Sequence, residues 1–217
     1  FAAFDINNTY HYLNEIPFAD HGALIDPPTS DVTARCIGFL GKYGKQAHQN
    51  AVYRGVSFLL REQEANGAWF GRWGTNYIYG TWSVLEAMQL AKQDMKHTAV
   101  RRAVQWLKSV QREDGGWGES NDSYLDPKLA ELETSTAFQT AWALLGLMAA
   151  GEVKSESVRR GINYLLSAQS SNHLWEEPWF TAPGFPRVFY LRYHGYSKFF
   201  PIWALARYRR LTRENVA

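Results

Sequence analysis

The chain has 217 residues, with 23 Lys and Arg against 21 Asp and Glu and a net charge of +2. These charges are scattered rather than gathered into a basic stripe, which argues against a nucleic-acid partner. The longest apolar runs, at 141–150 and 199–206, are shorter than the roughly 18 residues that a membrane-spanning helix needs, and the single Cys36 cannot form an internal disulfide, which is typical of a reducing compartment.

Helices of two kinds are predicted, and they alternate along the chain. The first kind is apolar on nearly every side, and the second has one polar face with most of the Lys, Arg and Glu. The first kind lies at 31–40, 80–92, 135–150 and 196–210, and the second at 46–64, 97–112 and 154–170. Apolar helices suit the inside of a helical array and helices with one polar face suit the outside. We therefore predict an all-α fold, an α/α (toroid) barrel of inner and outer helix pairs.

This barrel is expected to be incomplete, because four inner and three outer helices do not close a barrel of twelve. The whole chain, 1–217, is expected to be one domain, a portion of such a barrel.

A spaced set of five residues occurs three times, each time in the second half of a polar-faced helix and the segment after it. The set is a basic residue, Gly or Ala, an aromatic residue three positions further, Gln eight positions after the Gly or Ala, and Trp six beyond the Gln. The copies are Arg54-Gly55…Phe58…Gln63…Trp69, Arg102-Ala103…Trp106…Gln111…Trp117 and Arg160-Gly161…Tyr164…Gln169…Trp175. The Gln residues are 48 and then 58 positions apart, which suits one helix pair stacked three times.

We interpret the repeated residues as a structural staple rather than as groups that touch a substrate. The Gln is expected in the last turn of its helix, where its amide can hydrogen-bond backbone without an intrahelical partner. Gly67, and Gly115 or Gly116, can adopt the left-handed conformation that stops a helix, and the Trp then covers the joint. The third copy has His173 and Leu174 in place of the glycines, so we expect its turn to be looser or differently shaped.

Two loops that lead from an outer to an inner helix are rich in aromatic residues, at 70–79 and 179–196. All such loops lie on one side of an α/α array, so their rings should cluster at one mouth of it. The residues alone leave two interpretations open, a packed core or the lining of an apolar cavity. Ring faces stabilise a cation by about 2 kcal/mol or more each where water is excluded. A reaction that passes through carbocations needs this, since water or a nucleophilic side chain would quench them.

Asp31 and Arg35 lie where the first inner helix should begin. Two prolines followed by Thr29, Ser30 and Asp31 are a strong helix-start signal, and residues four apart share one helix face. The pair is therefore either a helix cap with a surface ion pair or part of a functional site. No metal site is predicted, because the six His are dispersed and no His-Glu-x-x-His motif is present.

The repeats resemble the QW repeats of the triterpene cyclases, and three further stretches narrow the resemblance to the bacterial squalene–hopene cyclases. The stretches are Ile16-Pro17-Phe18-Ala19-Asp20-His21-Gly22, Asp26-Pro27-Pro28-Thr29-Ser30-Asp31-Val32-Thr33-Ala34-Arg35 and Gly184-Phe185-Pro186…Phe189-Tyr190-Leu191. The similarity covers nearly the whole chain and corresponds to the C-terminal third or so of that enzyme. The Asp-x-Asp-Asp motif that supplies the initiating proton in the family is absent from the sequence. The resemblance therefore implies part of a catalyst, inactive on its own.

The resemblance implies roles for the aromatic residues of the expected mouth. It assigns Trp73 and Tyr79 to the cavity wall, Phe185 and Phe189 to positions that face the later ring-forming cations, Tyr193 and Tyr196 to the pocket floor, and Phe18, Ala19 and His21 to the segment that constricts the substrate access channel. Phe4 and His21 stand where the best-known member has Tyr and Phe, and these differences bear on local polarity and channel width.

The resemblance also chooses between the two interpretations of Asp31 and Arg35. Asp31 matches a family carboxylate near the catalytic acid, and Arg35 stands where the best-known member has a His that hydrogen-bonds that acid. A cation in this place favours an ionised partner or organises the acidic network. We therefore predict that both residues support the absent acid. The segment 5–8 looks like a degraded acid motif, but amides cannot deliver a proton, so we expect a turn or loop there.

The resemblance implies an intramolecular isomerase without a cofactor, which cyclises squalene to hopene or hopanol in hopanoid biosynthesis. Implied partners are squalene, the N-terminal remainder of the cyclase, a possible second copy in a homodimer and a membrane surface. Attachment would be peripheral and monotopic, on the cytoplasmic side of the bacterial membrane, because squalene is dissolved in lipid. No basic and then apolar leader is visible, so we expect no signal peptide.

Two alternative functions stay open at this point. A zinc-dependent prenyltransferase β-subunit shares the barrel type and would be identified by metal analysis. A non-catalytic helical-array binding module would lack an Asp-x-Asp-Asp segment upstream in the parent gene.

Overall fold

The computed structural model describes residues 1–4, 9–19, 21 and 24–214, and this part of the chain is mainly helical. Its seven α-helices are α1 Ser30–Tyr43, α2 Gln49–Arg61, α3 Tyr77–Leu90, α4 Thr98–Ser109, α5 Ala137–Ala149, α6 Glu156–Ser167 and α7 Tyr196–Glu214. Each lies within a few residues of a predicted helix, so the predicted succession of helices is confirmed. The segment 5–8, expected to form a turn or loop, lies outside the described residues.

The helices form the two layers that their polarity predicts. In the inner row α1 packs on α3, α3 on α5 and α5 on α7, while the outer helices α2 and α6 pack on α1 and α5, and α4 packs against both α3 and α5. Every residue of α5 is buried, whereas each outer helix buries one face only. The architecture is thus an arc of an α/α barrel.

Both ends of this arc expose apolar rings. Phe39 and Tyr43 on α1 are 62% and 65% exposed, and Phe199 and Trp203 on α7 are 72% and 42% exposed. An inner helix with such a face lacks its next neighbour in the array, as expected for an incomplete barrel. None of the described helices is both long and apolar enough to cross a membrane.

Two small antiparallel sheets lie in the long connections that lead to α5 and α7. β1 Trp117–Glu119 pairs with β2 Glu131–Thr136, and β3 Ala182–Phe185 pairs with β4 Phe189–Leu191. These connections include the second aromatic loop, so the sheets belong to the side of the array where the site is expected.

The repeated Trp residues pack inside the joints between helices, as predicted. Each indole N–H donates to the carbonyl ten residues earlier: Trp69 to Leu59 at 2.7 Å, Trp117 to Leu107 at 2.8 Å and Trp175 to Leu165 at 2.8 Å. All three side chains are nearly or fully buried. A large ring is therefore buried with its one polar group satisfied.

The repeated Gln and Arg side chains join one copy to the next. In the first two copies the Gln amide donates to the turn after its own helix and to the first turn of the next outer helix, and in the last two copies the Arg guanidinium donates to the preceding turn. The bonds are Gln63 to Gly67 and Ala99, Gln111 to Gly115 and Ser157, Arg102 to Glu64 and Ala65, and Arg160 to Arg112 and Glu113, all at 2.7–2.9 Å. The prediction that each Gln lies in the last turn of its helix is wrong, because α2, α4 and α6 end at Arg61, Ser109 and Ser167, two residues before the Gln.

The third copy closes the same turn without a glycine. Gly67 and Gly115 have φ values of +100° and +89°, and His173 adopts +62°. Gln169 donates to the carbonyl of His173 at 2.9 Å and the backbone bonds of the turn are the same as in the other copies, so the prediction of a looser or differently shaped third turn is wrong. A Cβ at Gly67 or Gly115 would lie 2.8 or 2.7 Å from a carbonyl oxygen of the next copy. His173 has no following copy in the described residues, so its side chain meets no such obstacle.

Candidate functional site

Asp31, the second residue of α1, joins that helix to the first aromatic loop. Its Oδ1 accepts hydrogen bonds from the hydroxyl of Thr29 at 2.6 Å and the backbone N–H of Val32 at 2.9 Å. Its Oδ2 accepts from the backbone N–H groups of Arg72 at 3.0 Å and Trp73 at 2.7 Å. Asp31 is 1% exposed, and these four donors occupy its two oxygens. The carboxylate therefore anchors loop 70–79 to the start of α1.

Arg35 does not use Asp31 as its partner, and no ion pair joins the two in the part of the chain that the structure describes. Its guanidinium carbon lies 4.3 Å from the centroid of the Trp82 ring and 5.6 Å from that of Tyr79. Such cation–π contacts orient the charge. The alternative of a surface ion pair is thus wrong, because backbone donors bind Asp31 and ring faces contact Arg35.

A cavity of about 280 Å³ brings four predicted site residues together, and we call it the Asp31 cavity. It is lined by Ala3, Asp31, Val32, Arg35, Trp73 and Tyr79. Burial raises the pKa of the Tyr79 hydroxyl, against the lowering effect of the Arg35 charge. A larger cavity of about 680 Å³ beside the C-terminal end of α4 has a single aromatic residue, Trp106, in its lining and none of the predicted site residues. The Asp31 cavity is therefore the candidate site.

Three residues that sequence reasoning missed hold loop 70–79 in place. Arg72 forms an ion pair with the fully buried Asp26, with 2.9 Å between Nε and Oδ1. The Tyr124 hydroxyl lies 2.6 and 2.9 Å from the carbonyl oxygens of Gly71 and Gly74. These partners come from distant parts of the sequence, so no local spacing could have revealed them.

A row of aromatic rings leads from the Asp31 cavity to α7. The ring centroid of Trp142 lies 5.1 Å from that of Tyr79 and 5.7 Å from that of Tyr196, and Tyr196 lies 5.1 Å from Tyr193. Trp82 stacks on Trp142 at 5.9 Å, and both are fully buried. The two tryptophans were also missed, because on apolar inner helices they read as ordinary core residues.

Tyr193 and Tyr196 line a second cavity of about 310 Å³, which also contains Glu177. One oxygen of Glu177 accepts the backbone N–H of Ala137, and the other is buried without a partner among the described residues. Burial raises the pKa of Glu177 to about 7.

Phe185 and Phe189 face each other across the turn between β3 and β4, with ring centroids 5.6 Å apart. The imidazole of His21 lies 5.4 Å from the first ring and 5.6 Å from the second. The structure thus brings together a residue predicted for the access channel and two predicted to face late cations.

Three predicted residues stay apart from these groups. Phe4 and Phe18 are 40% and 82% exposed, and neither forms a ring pair within the described residues. Ala19 is half-buried and lines none of the three cavities. In the described ranges, no three His, Cys, Asp or Glu side chains lie close enough to hold a metal ion.

Comparison with known proteins gives agreement over nearly the whole chain. The family model for the squalene-hopene cyclase C-terminal domain matches residues 1–210. The chain is 61% identical over 217 residues to a probable squalene–hopene cyclase of Sinorhizobium fredii and 59% identical over 214 residues to a squalene–hopene cyclase of Zymomonas mobilis. The two matches cover 99% and 98% of this chain but only 34% and 32% of the relatives, so the chain spans about a third of their length.

A solved structure carries the same fold. The ent-copalyl diphosphate synthase from Streptomyces platensis aligns with 84% of this chain and 32% of its own at a TM-score of 0.59. With 19% sequence identity, this likeness speaks for the helical architecture alone.

Proposed function

Since the chain belongs to the squalene–hopene cyclase family, matching its C-terminal domain, we propose that it is part of an enzyme that cyclises squalene to hopene or hopanol. The reaction would be an acid-initiated cationic polycyclisation in hopanoid biosynthesis, without a cofactor. The observation that carries the proposal is the Asp31 cavity with the aromatic row beside it. Polar groups gather at one end, where a proton must arrive, and ring faces follow, where carbocations must be stabilised.

In this proposal Arg35 and Asp31 support the acid in different ways. Arg35, oriented by the ring of Trp82, stabilises an ionised carboxylate within the acidic group that the rest of the parent enzyme supplies. Asp31 holds the loop that carries Trp73, and its oxygens are already engaged by four donors. The proton therefore comes from outside this chain.

The aromatic residues surround the carbocations and the path of the substrate. Trp73 and Tyr79 form the cavity wall, Phe185 and Phe189 face late cations, and Tyr193 and Tyr196 shape the floor. Phe18, Ala19 and His21 belong to the access channel, and Phe4 is a further substrate-binding residue. Each well-placed ring contributes about 2 kcal/mol to a neighbouring cation once water is excluded.

The open ends of the repeat array indicate how the rest of the parent enzyme would dock. Arg102 and Arg160 each bind the turn of a preceding copy, whereas Arg54 is exposed and has no such turn among the described residues. Gln169 donates to its own turn only, whereas its counterparts also reach the next outer helix. We propose that the N-terminal remainder supplies both missing partners and covers Phe199 on α7.

The natural location follows from the substrate. Squalene is dissolved in lipid, so the parent enzyme would bind peripherally to the cytoplasmic side of the bacterial membrane and draw squalene from it. Flotation of the full-length parent with lipid vesicles tests this, and an enzyme that stays at the bottom of the gradient speaks against it. A homodimer is a further proposal, for which the molar mass of the purified parent in solution is the measurement.

Reconstitution tests the function. The 217 residues, the N-terminal remainder and the full-length parent are each incubated with squalene, and the products are identified by gas chromatography. We expect hopene from the full-length parent, none from either piece alone, and recovery when the pieces are combined. Hopene from this chain alone would locate the acid within it, and an inactive full-length parent would refute the proposed function.

A further inference from the structure

Glu119, which no motif singled out, binds the start of the helix that carries Tyr79. The first N–H groups of an α-helix have no partner within the helix. The Glu119 carboxylate accepts three of them at the start of α3, from Asn76 at 3.2 Å, Tyr77 at 3.0 Å and Ile78 at 3.0 Å. It reaches them from β1, in the following copy of the repeat. A negative charge at this end of a helix is also favoured by the helix dipole.

Glu119 is itself held rigidly. It is 3% exposed, and Gln139 of α5 binds its backbone on both sides, accepting from the N–H at 2.9 Å and donating to the carbonyl at 3.0 Å. Burial raises the pKa of Glu119, and the three backbone donors oppose this rise. Glu119 thus links α3, through its carboxylate, to α5, the helix that carries Trp142, through its backbone.

The loop between Trp73 and Tyr79 is therefore held at both ends by buried carboxylates. Asp31 binds the N–H groups of Arg72 and Trp73, and Glu119 binds those at the beginning of α3. Trp73 and Tyr79, two of the six residues that line the Asp31 cavity, lie at these ends. Their positions depend on where the two carboxylates fix the backbone.

A comparison of the three repeat copies sets Glu119 in context. Glu177 lies two residues after Trp175, as Glu119 does after Trp117, and it binds the N–H of Ala137 at the start of α5. The first copy has Gly71 at this position, where a Cβ would lie 2.5 Å from the carbonyl oxygen of Asn76. The carboxylate at that joint comes from the opposite side, from Asp31 on α1. A carboxylate thus joins neighbouring copies at each of these joints. At α3 and α5 it comes from the following copy, and beside the Asp31 cavity it comes from α1.

We infer that Glu119 is a positioning residue for the cyclisation: it fixes the first turn of α3 and thereby holds Tyr79 and loop 70–79 in the wall of the Asp31 cavity. This inference rests on the proposed function. Glu119 touches no reacting atom in this role. Its loss should slow initiation, which takes place at the Asp31 cavity, and leave the later partition among products unchanged.

The test compares Glu119→Gln with Gln111→Ala in the full-length parent. Gln111→Ala removes two staple bonds in the same repeat without touching loop 70–79, so it serves as a control for lost stability. We expect Glu119→Gln to lower kcat at least about tenfold at similar KM, with faster amide hydrogen exchange confined to residues 72–79. Gln111→Ala should keep wild-type kcat and exchange in that segment. Glu119→Asp retains a carboxylate and should be intermediate, which gives a second variant if Glu119→Gln does not fold.

The turnover and hydrogen-exchange measurements distinguish a failure of the inference from a failure of the proposed function on which it rests. Equal kcat in Glu119→Gln and Gln111→Ala, or exchange that rises evenly over the whole domain, would overturn the positioning role. An inactive wild-type parent would refute the proposed function, and the exchange measurement would still decide whether Glu119 fixes the loop.

Discussion

The carboxylate of Asp31 lies 2.7 Å from the backbone nitrogen of Trp73, and this bond fixes the first aromatic loop to the start of α1. A carboxylate that accepts backbone N–H groups orders the peptide it binds. Asp31 therefore shapes the cavity through Trp73, and its contribution should be visible in both stability and turnover.

Asp31→Asn in the full-length parent should lower the free energy of unfolding by about 1–3 kcal/mol, because the amide nitrogen turns a donor toward backbone donors. Squalene turnover should fall at least about tenfold as the loop shifts. Asp114→Asn is the matched control, since Asp114 also accepts a backbone N–H, from Gly116, but lies in an exposed turn. It should lose stability only. Wild-type turnover in Asp31→Asn would contradict the anchoring role.

The repeat contact can be measured with a pair of glycines. Gly115 and Gly151 have nearly the same φ, +89° and +88°, but a Cβ at Gly115 would lie 2.7 Å from the carbonyl oxygen of Arg160, whereas Gly151 has no atom within 4 Å. Alanine should therefore cost about 1 kcal/mol at Gly151 from backbone strain alone and roughly 2–3 kcal/mol more at Gly115, from overpacking. Denaturant unfolding of the two variants measures the difference. Equal losses would show that the next copy does not press on this turn.

The fold could be predicted from the sequence because the features that determine it lie within short segments and recur along the chain. The polarity of each helix and the spacing from Arg102 to Trp117 recur along the chain, and both reflect contacts within one unit. The error at His173 shows the limit of this reasoning. A glycine in a turn is usually explained by its positive φ. At Gly67 the side chain is also excluded by the carbonyl of the next copy, and the sequence of the turn does not show that contact.

The site was predicted in part, since the resemblance led to residues that the structure gathers around one cavity. Spacing showed that Asp31 and Arg35 share a helix face but not which partner each prefers. The donors at Arg72 and Trp73 are brought there by the chain's path, 41 and 42 residues later. Glu119 escaped notice for the same reason, because its partners precede it by more than 40 residues.

Replacing Arg35 by His should make turnover depend on pH. Arginine keeps its charge throughout the physiological range, whereas His has an ordinary pKa of about 6.5. If the charge supports the acid, Arg35→His in the full-length parent should be active below about pH 6 and lose activity as the pH rises through 6 to 7. The wild-type profile should not show this loss. Arg35→Gln, uncharged at every pH, is the control, and its turnover should be low at every pH. A wild-type rate in that variant would show that the reaction does not need the charge.

Glu177 should make the stability of the protein depend on pH. Burial raises its pKa to about 7, well above the usual range of a Glu, so the folded state binds a proton that the unfolded state releases. Its contribution is most favourable below about pH 4.5 and is lost as the pH rises to 7, by about 1–3 kcal/mol. The melting temperature of Glu177→Gln, relative to wild type, should therefore rise between pH 5 and 8. A constant difference would mean that Glu177 titrates normally. The other ionisable groups of this cavity, such as His194, are the same in both proteins, so the comparison removes their effects.

Phe189 should control the product mixture rather than the start of the reaction. Its ring is 38% exposed in this chain and contacts Phe185 and His21, far along the chain from Asp31. If it faces a late carbocation in the full-length parent, Phe189→Ala removes about 2 kcal/mol of stabilisation at one step, a factor of roughly 30 in partitioning. Partly cyclised olefins should accumulate, and squalene consumption should fall less than hopene formation.

A structural role for Phe189 predicts the opposite pattern, a lower melting temperature with an unchanged product ratio. Phe58→Ala provides that reference, because Phe58 is the repeat aromatic of α2 and packs against the core on the outer side. Gas chromatography of the products and a melting curve for each variant separate the two roles. A product ratio in Phe189→Ala that matches Phe58→Ala would exclude Phe189 from the cationic steps.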